Sequence, residues 1–365
     1  MLRRLFEISL IALLCTACLS ATTSQTSDAV VYMPRHAKGF VIEYDSLHNC
    51  EVLRIKNPYQ SDRPYEQVAM LNTEAKRIAV LSSSFAAMLE AVGETDRIVG
   101  VSGTQYIVNP TLRQRIAEGE CIEIGYESAV RFEDLKGLDV DVVLLYGLYG
   151  EETSLTTKLK QLGIPYIYIG DYTESSPLGK AEWCVAVAAI CHRRNTGEEY
   201  FRQVEKRYLR LRDSIAENRR GKQRPQVMLN LPYRDTWFMP STDSYFVRLI
   251  EDGGGEYLYS QNTSRESVPI SIEEALLIAH RADVWLNVGQ CNTLEELCRS
   301  VPRFADVKSV KNRRIYNNNR RQEAMGGSDF WESGAVRPDV VLNDIALLLH
   351  DSSCDEKLYY YKPLR

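Results

Sequence analysis

The sequence predicts an α/β protein made of two parallel-sheet, Rossmann-like lobes joined by a single long interlobe helix, with an N-terminal β-hairpin extension. Three observations predict it. A chain of 365 residues is longer than one hydrophobic core usually serves. Two segments, 76–178 and 225–365, both alternate short apolar strands with helices, which implies parallel sheets covered on both faces. Between them, in a helical linker over 179–224, Phe201, Val204, Tyr208, Leu211 and Ile215 recur at steps of three and four and mark one apolar helix face. Helix over 197–220, about 24 residues, would span roughly 36 Å, enough to bridge two lobes. Thr196 and Glu199 have capping-box spacing, and Arg219, Arg220 and Lys222 gather around a terminating Gly221. A long surface helix within one domain is the rival reading.

Residues 1–18 read as an address. Arg3 and Arg4 precede the apolar run Leu5 to Leu14, too short to span a bilayer, which ends at Cys15-Thr16-Ala17-Cys18. This ending resembles the bacterial lipoprotein signal, in which a cysteine after small residues is lipidated; Cys18 fits, although Cys15 stands where leucine is usual, so simple cleavage and secretion stays open. Residues 19–38 read as a tether, Ser/Thr-rich to Asp28. Over 39–75, Phe40 to Tyr44 and Val52 to Ile55 form a β-hairpin, joined through Asn57 to Pro64 to the first lobe.

The first lobe reads as strand Arg77 to Leu81, a capping turn Ser82-Ser83-Ser84, helix Phe85 to Val92, strand Arg97 to Val101, strand Cys121 to Ile124, helix Phe132 to Gly137, strand Asp141 to Tyr146, helix Thr153 to Leu162 and strand Tyr166 to Ile169. The second reads as strand Gln226 to Leu231, helix Ser244 to Glu251, helix Ile272 to His280, strand Asp283 to Val288, strand Arg314 to Tyr316 and a last helix, Asp339 to Leu349, opened by Pro338.

Composition excludes several functions. Forty-four Lys and Arg nearly balance 49 Asp and Glu, with no basic block interleaved with aromatics, so no nucleic-acid partner is expected. Beyond Cys15 and Cys18 the cysteines are odd in number and form no CxxC pair, which supports neither a disulfide framework nor a redox motif. The five histidines are dispersed and none has a paired ligand spacing, so no naked metal site and no resident cofactor is expected; any iron would arrive inside its chelate.

A faint repeat links the lobes. Phe132-Glu133-Asp134-Leu135 followed by the strand from Asp141 to Gly147 answers Ile272-Glu273-Glu274-Ala275 followed by the strand from Asp283 to Gly289. Taken with Lys76 to Leu81, Gly93, Asp96 to Val101 and the lone long helix, this order resembles the substrate-binding proteins of ABC importers for ferric siderophores, haem and cobalamin, over Lys76 to His350. The resemblance implies two lobes on a rigid helix, a ligand held between them, and delivery to a permease dimer of the inner membrane by a monomer anchored in the periplasm. It also implies one permease-docking glutamate per lobe. By motif position these are Glu133 and Glu273, with Glu274 competing for the second place and dipole compensation at a helix start the plainer explanation of each.

Ligand residues belong where the strands of an open α/β sheet end. Those positions hold Ser82 to Ser84, Tyr106, Tyr126, Tyr146, Tyr149 and Tyr172 in the first lobe, and Tyr233, Arg234, Gln290 and Asn317 to Arg321 in the second. The expected contacts are Ser83, Tyr106, Tyr146, Tyr233, Arg234, Arg320, Arg321 and Trp331. Tyrosine offers apolar area with a polar tip and arginine pairs with anionic oxygens, a combination suited to an iron chelate, haem or a corrinoid. Two rivals remain. Asp329-Phe330-Trp331-Glu332, behind Gly326-Gly327, sets two carboxylates beside aromatics as in a carbohydrate-cleaving enzyme, though without nucleophile elbow or phosphate loop; its milder reading has Phe330 and Trp331 closing the cleft rim. A surface lipoprotein that scavenges ligand would share the fold without needing Glu133 and Glu273 to act together.

Overall fold

The computed structural model describes residues 29–56, 66–126, 129–147, 153–351, 353 and 355–365. The signal over 1–18 with Cys18, the tether to Asp28, the connector Asn57 to Pro64, and Tyr149 lie outside the described residues. Strands β1 (Ala29–Tyr32), β2 (Phe40–Asp45), β3 (Cys50–Lys56) and β4 (Glu66–Leu71) form one antiparallel sheet in that order. The expected hairpin is its centre, and Phe40, Ile42, Leu53 and Ile55 fill its inner face by the alternation of a half-buried sheet. Residues 29–38 depart from the expected tether: they hold β1 and a segment fastened to the molecule's middle.

The first lobe comprises β5 (Ile78–Val80), α1 (Ser83–Ala91), β6 (Ile98–Val101), α2 (Pro110–Ala117), β7 (Ile122–Glu123), α3 (Phe132–Gly137), β8 (Val142–Leu145), α4 (Ser154–Leu162) and β9 (Tyr166–Tyr168). Its strands are parallel in the order β7-β6-β5-β8-β9. The sequence reading omitted α2, although its signals are plain: Asn109 accepts the Leu112 N–H and Pro110 stands at the first helical position.

Two helices follow, α5 (Pro177–Ile190) and α6 (Arg194–Asn218). The long helix starts earlier than its capping-box pattern implies. Thr196 already donates its N–H to the Arg193 carbonyl inside the first turn, and no side chain caps the end. Phe201, Val204, Tyr208 and Ile215 are buried as the stripe requires. Helix α5 is buried throughout from Trp183 to its end at Ile190, and it touches both lobes and the extension.

The second lobe comprises β10 (Gln226–Leu229), β11 (Thr236–Met239), α7 (Tyr245–Asp252), β12 (Glu256–Tyr257), β13 (Val268–Ser271), α8 (Ile272–Ala279), β14 (Val284–Leu286), α9 (Leu294–Ser300), α10 (Lys308–Lys311), β15 (Ile315–Asn317), α11 (Pro338–His350) and β16 (Lys362–Pro363). Its main sheet runs β12-β10-β14-β15-β16, parallel except for β16, while β11 and β13 pair antiparallel beside it.

The lobes repeat in atomic detail. Asp141, just before β8, donates its N–H to the Arg77 carbonyl and accepts the Lys76 and Arg77 N–H groups at 2.7 and 2.8 Å. Asp283, just before β14, donates to the Gln226 carbonyl and accepts the Gln226 N–H at 2.8 Å. In each lobe an aspartate thus fixes the start of the first parallel strand, β5 or β10, against the strand that crosses to its other side.

The extension is fastened by carboxylates. Glu182 on α5, with no exposed surface, accepts from the Tyr32 hydroxyl and the N–H groups of Arg35, His36 and Ala37 at 2.7–2.9 Å. Glu174 accepts the Lys38 and Gly39 N–H groups, and Glu205 on α6 meets Arg35 and His36. Position 39 must be glycine, because a Cβ there would come within 2.6 Å of the Trp183 ring.

Candidate ligand-binding cleft

Strands β5 and β10, the first of each lobe's parallel sheet, lie at the switch points of their sheets, each with neighbours on both sides, and a crevice at the carboxyl ends of such strands is the expected ligand site. After β5 the chain turns through Ser82, whose hydroxyl accepts the Ser84 N–H at 3.3 Å and starts α1. Here lies a cavity of about 480 Å³ lined from both lobes. The first lobe and α5 contribute Ser82 to Phe85, Tyr146, Asp171, Tyr172 and Lys180; the second contributes Tyr245, Phe330, Trp331 and Ala335.

The second-lobe wall rests on an aromatic stack. Phe246 lies parallel to the buried Phe330 at 5.9 Å, and Trp331 stands edge-on to both at 5.8 and 5.0 Å, leaving 54% of its own surface exposed. Four of the first-lobe loops carry a half-exposed tyrosine: Tyr106 after β6, Tyr126 after β7, Tyr146 after β8 and Tyr172 after β9, between 39 and 47% exposed. Tyr146 and Tyr172 line the cavity, while the Tyr126 hydroxyl is bonded by Gln105.

Beside the cavity the lobes are clasped directly. Glu332 accepts the Val108 and Asn109 N–H groups at 2.7 and 2.8 Å, and Arg113 pairs with Glu323. Gly327 admits the Tyr106 carbonyl, which a Cβ would meet at 2.5 Å. Burial pushes the Glu332 carboxyl up to about 7, the two N–H bonds opposing it. Asp329 is held by Arg321 at 2.5 Å. Both carboxylates of the carbohydrate-cleaving reading are therefore engaged, Glu332 by backbone N–H groups and Asp329 by the Arg321 side chain.

Of the expected contacts, Ser83, Tyr146 and Trp331 meet at the cavity, and Tyr106 lies at the clasp. The others do not join them. Arg234, in a left-handed turn with its guanidinium 5.3 Å from the Tyr233 ring, lines a separate depression of about 290 Å³ with Glu273 and Arg303. Arg320 donates to the Asp355 carbonyl, and Arg321 lies over the Tyr359 ring at 4.5 Å while bonded to Asp329. Asn317, Asn318 and Asn319 are buried, and Gln290 is exposed near Gln322. The arginines belong to turns and to the C-terminal segment, whose pairing with β15 the sequence does not display. Sequence reasoning missed Asp171, Lys180 and Tyr245; Asp171 stands beside the expected Tyr172, and Lys180 lies one turn into α5.

Glu133 and Glu273 both occupy the first turn of the helix before the crossing strand, α3 and α8, and both are exposed. A hydrogen bond from Arg303 at 2.7 Å holds the Glu273 carboxyl below its ordinary range. Among the described residues no group of three or more His, Cys, Asp or Glu is placed to hold a metal ion, and no helix is long and apolar enough to cross a membrane.

The family described as periplasmic binding protein matches residues 78–319. An uncharacterized lipoprotein of Methanocaldococcus jannaschii is 26% identical over 290 residues, 77% of this chain and 66% of the relative, so the match spans just under two thirds of that relative's length. A second uncharacterized lipoprotein of that organism is 25% identical over 345 residues, 90% of this chain and 84% of the relative. Among solved structures, a periplasmic haem-binding protein from Pseudomonas aeruginosa has a TM-score of 0.59 at 16% identity, covering 80% of this chain and 95% of its own. The periplasmic vitamin B12-binding protein of Vibrio cholerae has a TM-score of 0.53 at 16% identity, covering 75% and 96%. At such identities the likeness is one of fold.

Proposed function

The chain belongs to the periplasmic binding protein family, and on that premise we propose that it captures a metal chelate or tetrapyrrole-like compound in the cleft between its lobes and delivers it to an ABC permease. The observation that carries this reading is the cavity at the carboxyl end of β5, lined from the first lobe by strand-end residues and from the second by Tyr245, Phe330, Trp331 and Ala335. Its aromatic walls suit a ligand of large flat or apolar surface, and the solved structures of similar fold include proteins for haem and vitamin B12. Segments 76–178 and 225–365 act as the lobes and 179–224 as the rigid linker. Lipidation at Cys18 ties the chain to the membrane, a reading supported by the relatives being named lipoproteins.

Delivery rests on Glu133 and Glu273. Two exposed carboxylates on matched helices, one per lobe, orient the protein on a two-fold permease. Cells importing through this chain lose uptake when both are changed to alanine, while ligand affinity of the purified protein stays within about twofold; retained uptake favours the scavenging lipoprotein instead. The cleft is tested by fluorescence. Trp183, Trp237 and Trp285 are fully buried and Trp331 alone is exposed, so a ligand in the cleft quenches Trp331. Saturable quenching by a ferric siderophore, haem or cobalamin, absent in Trp331→Phe, is the expected result; no quenching by any of them refutes the reading.

A further inference from the structure

The charges lining the cleft narrow the class of ligand, an inference that rests on the cleft being the ligand site. Among the described lining residues Lys180 is the one cation. Its Nζ stands 2.6 Å from Asp171 Oδ2, and Asp171 is 2% exposed, so the pair is neutralised within the wall. The Glu174 carboxylate is committed to the Lys38 and Gly39 N–H groups and to Trp183 Nε1. Hydroxyls of Ser82, Ser83, Ser84, Tyr146, Tyr172 and Tyr245 supply the other polar side-chain groups. Arg234, Arg320 and Arg321, the side chains that would answer an anion, stand away from the cavity on partners of their own.

One feature opposes this balance. The positive end of α1 reaches the cleft and is equivalent to about half an elementary charge. Its Ser84 N–H already donates to Ser82 Oγ, and half a charge does not replace the paired cations that two carboxylates or a catecholate complex need. An anion entering here loses hydration worth several kcal/mol and receives neutral hydroxyls in return. A cation or an uncharged amide-bearing surface loses less and gains the faces of Trp331, Tyr146 and Tyr172.

We propose that the cleft selects a chelate or macrocycle of zero or positive net charge, its amide or hydroxamate oxygens meeting the hydroxyls, and rejects carboxylate-bearing porphyrins and anionic catecholates. The full-length chain in detergent is titrated with a cationic ferric tris-hydroxamate, uncharged cyanocobalamin, haem, and a ferric tris-catecholate, reading Trp331 emission. Saturable quenching by the hydroxamate or the corrinoid is expected, with haem and the catecholate weaker by about a hundredfold or more. In Asp171→Asn, which releases Lys180, the gap shrinks by about tenfold; in Lys180→Gln, which leaves Asp171 unpaired, it widens by a similar factor.

Haem or catecholate binding as tightly as the other two overturns the inference and leaves the cleft as the ligand site. A gap that moves in neither variant, each checked for native circular dichroism, overturns the assignment to the Asp171–Lys180 pair. Quenching by no member overturns the cleft reading itself and the inference with it.

Discussion

In both lobes the first strand of the parallel sheet lies between the next strand of that sheet and a later, crossing strand, and the same aspartate clip precedes the crossing strand, yet the lobes finish their crevice edges in opposite ways. In the first lobe the loops after β6, β7, β8 and β9 each hold a half-exposed tyrosine. In the second lobe the ends of β10, β14 and β15 each carry an asparagine: Asn230, Asn287 and Asn317. The first two adopt the left-handed conformation that asparagine tolerates better than most residues, with φ of 67° and 59°. Asn287 accepts the Tyr361 hydroxyl and Asn317 donates to the Gly289 and Cys291 carbonyls, so these two side chains are engaged internally. Contact from the second lobe comes from Tyr245 and the Phe330–Trp331 loop instead. A shared strand order therefore leaves open which strand ends meet a ligand.

The largest test of this contrast breaks the clasp between the lobes. Glu332→Ala strands two backbone N–H groups, that of Asn109 buried, and lowers stability by about 3 kcal/mol, read from the urea midpoint at constant slope. The same group makes stability depend on pH. Its folded-state value is raised from about 4.5 to about 7, so its contribution is full below about pH 4.5 and is lost as pH rises through 7. Glu332→Gln flattens stability across that window.

Next comes Asn317→Ala, which removes the donor to two carbonyls and costs about 2 kcal/mol of stability while leaving ligand affinity unchanged. Tyr146→Ala reverses that pattern: affinity falls about fivefold, near 1 kcal/mol, and the urea midpoint moves little. If both variants moved the same observable, the division between a binding edge and a sealed edge would fail. Smallest is Arg234→Ala, for which no change in ligand affinity is expected by Trp331 titration, since Arg234 lines the Glu273 depression. A clear loss there would restore arginine to the cleft.

How much of this was legible in the sequence follows the range of the interactions. Elements with local signals, such as α3 at Phe132–Gly137 and α11 opened by Pro338, match the reading closely, because caps and periodicity act within a few residues. Strand β4 and the β11–β13 pair were missed, since their partners are long-range and each strand is short. At the cleft, strand-end position pointed to Ser83 and Tyr146, and the aromatic pair behind Gly326-Gly327 pointed to Trp331. Charge type misled: Arg321 reads as an anion contact until Asp329, eight residues on, is seen to hold it. Lys180 gave no signal at all, because its role depends on a buried aspartate at the end of another element.

The fastening of the extension has a mechanical consequence. A pull on the chain at Ala29 passes through β1 to Tyr32 and the 35–37 backbone, and there into the Glu182 carboxylate on α5. That helix lies between the lobes. Load applied at the N-terminal side is thus carried directly into α5, and through the antiparallel sheet and Gln67 on β4 into β9, before it reaches any other strand of the parallel sheets.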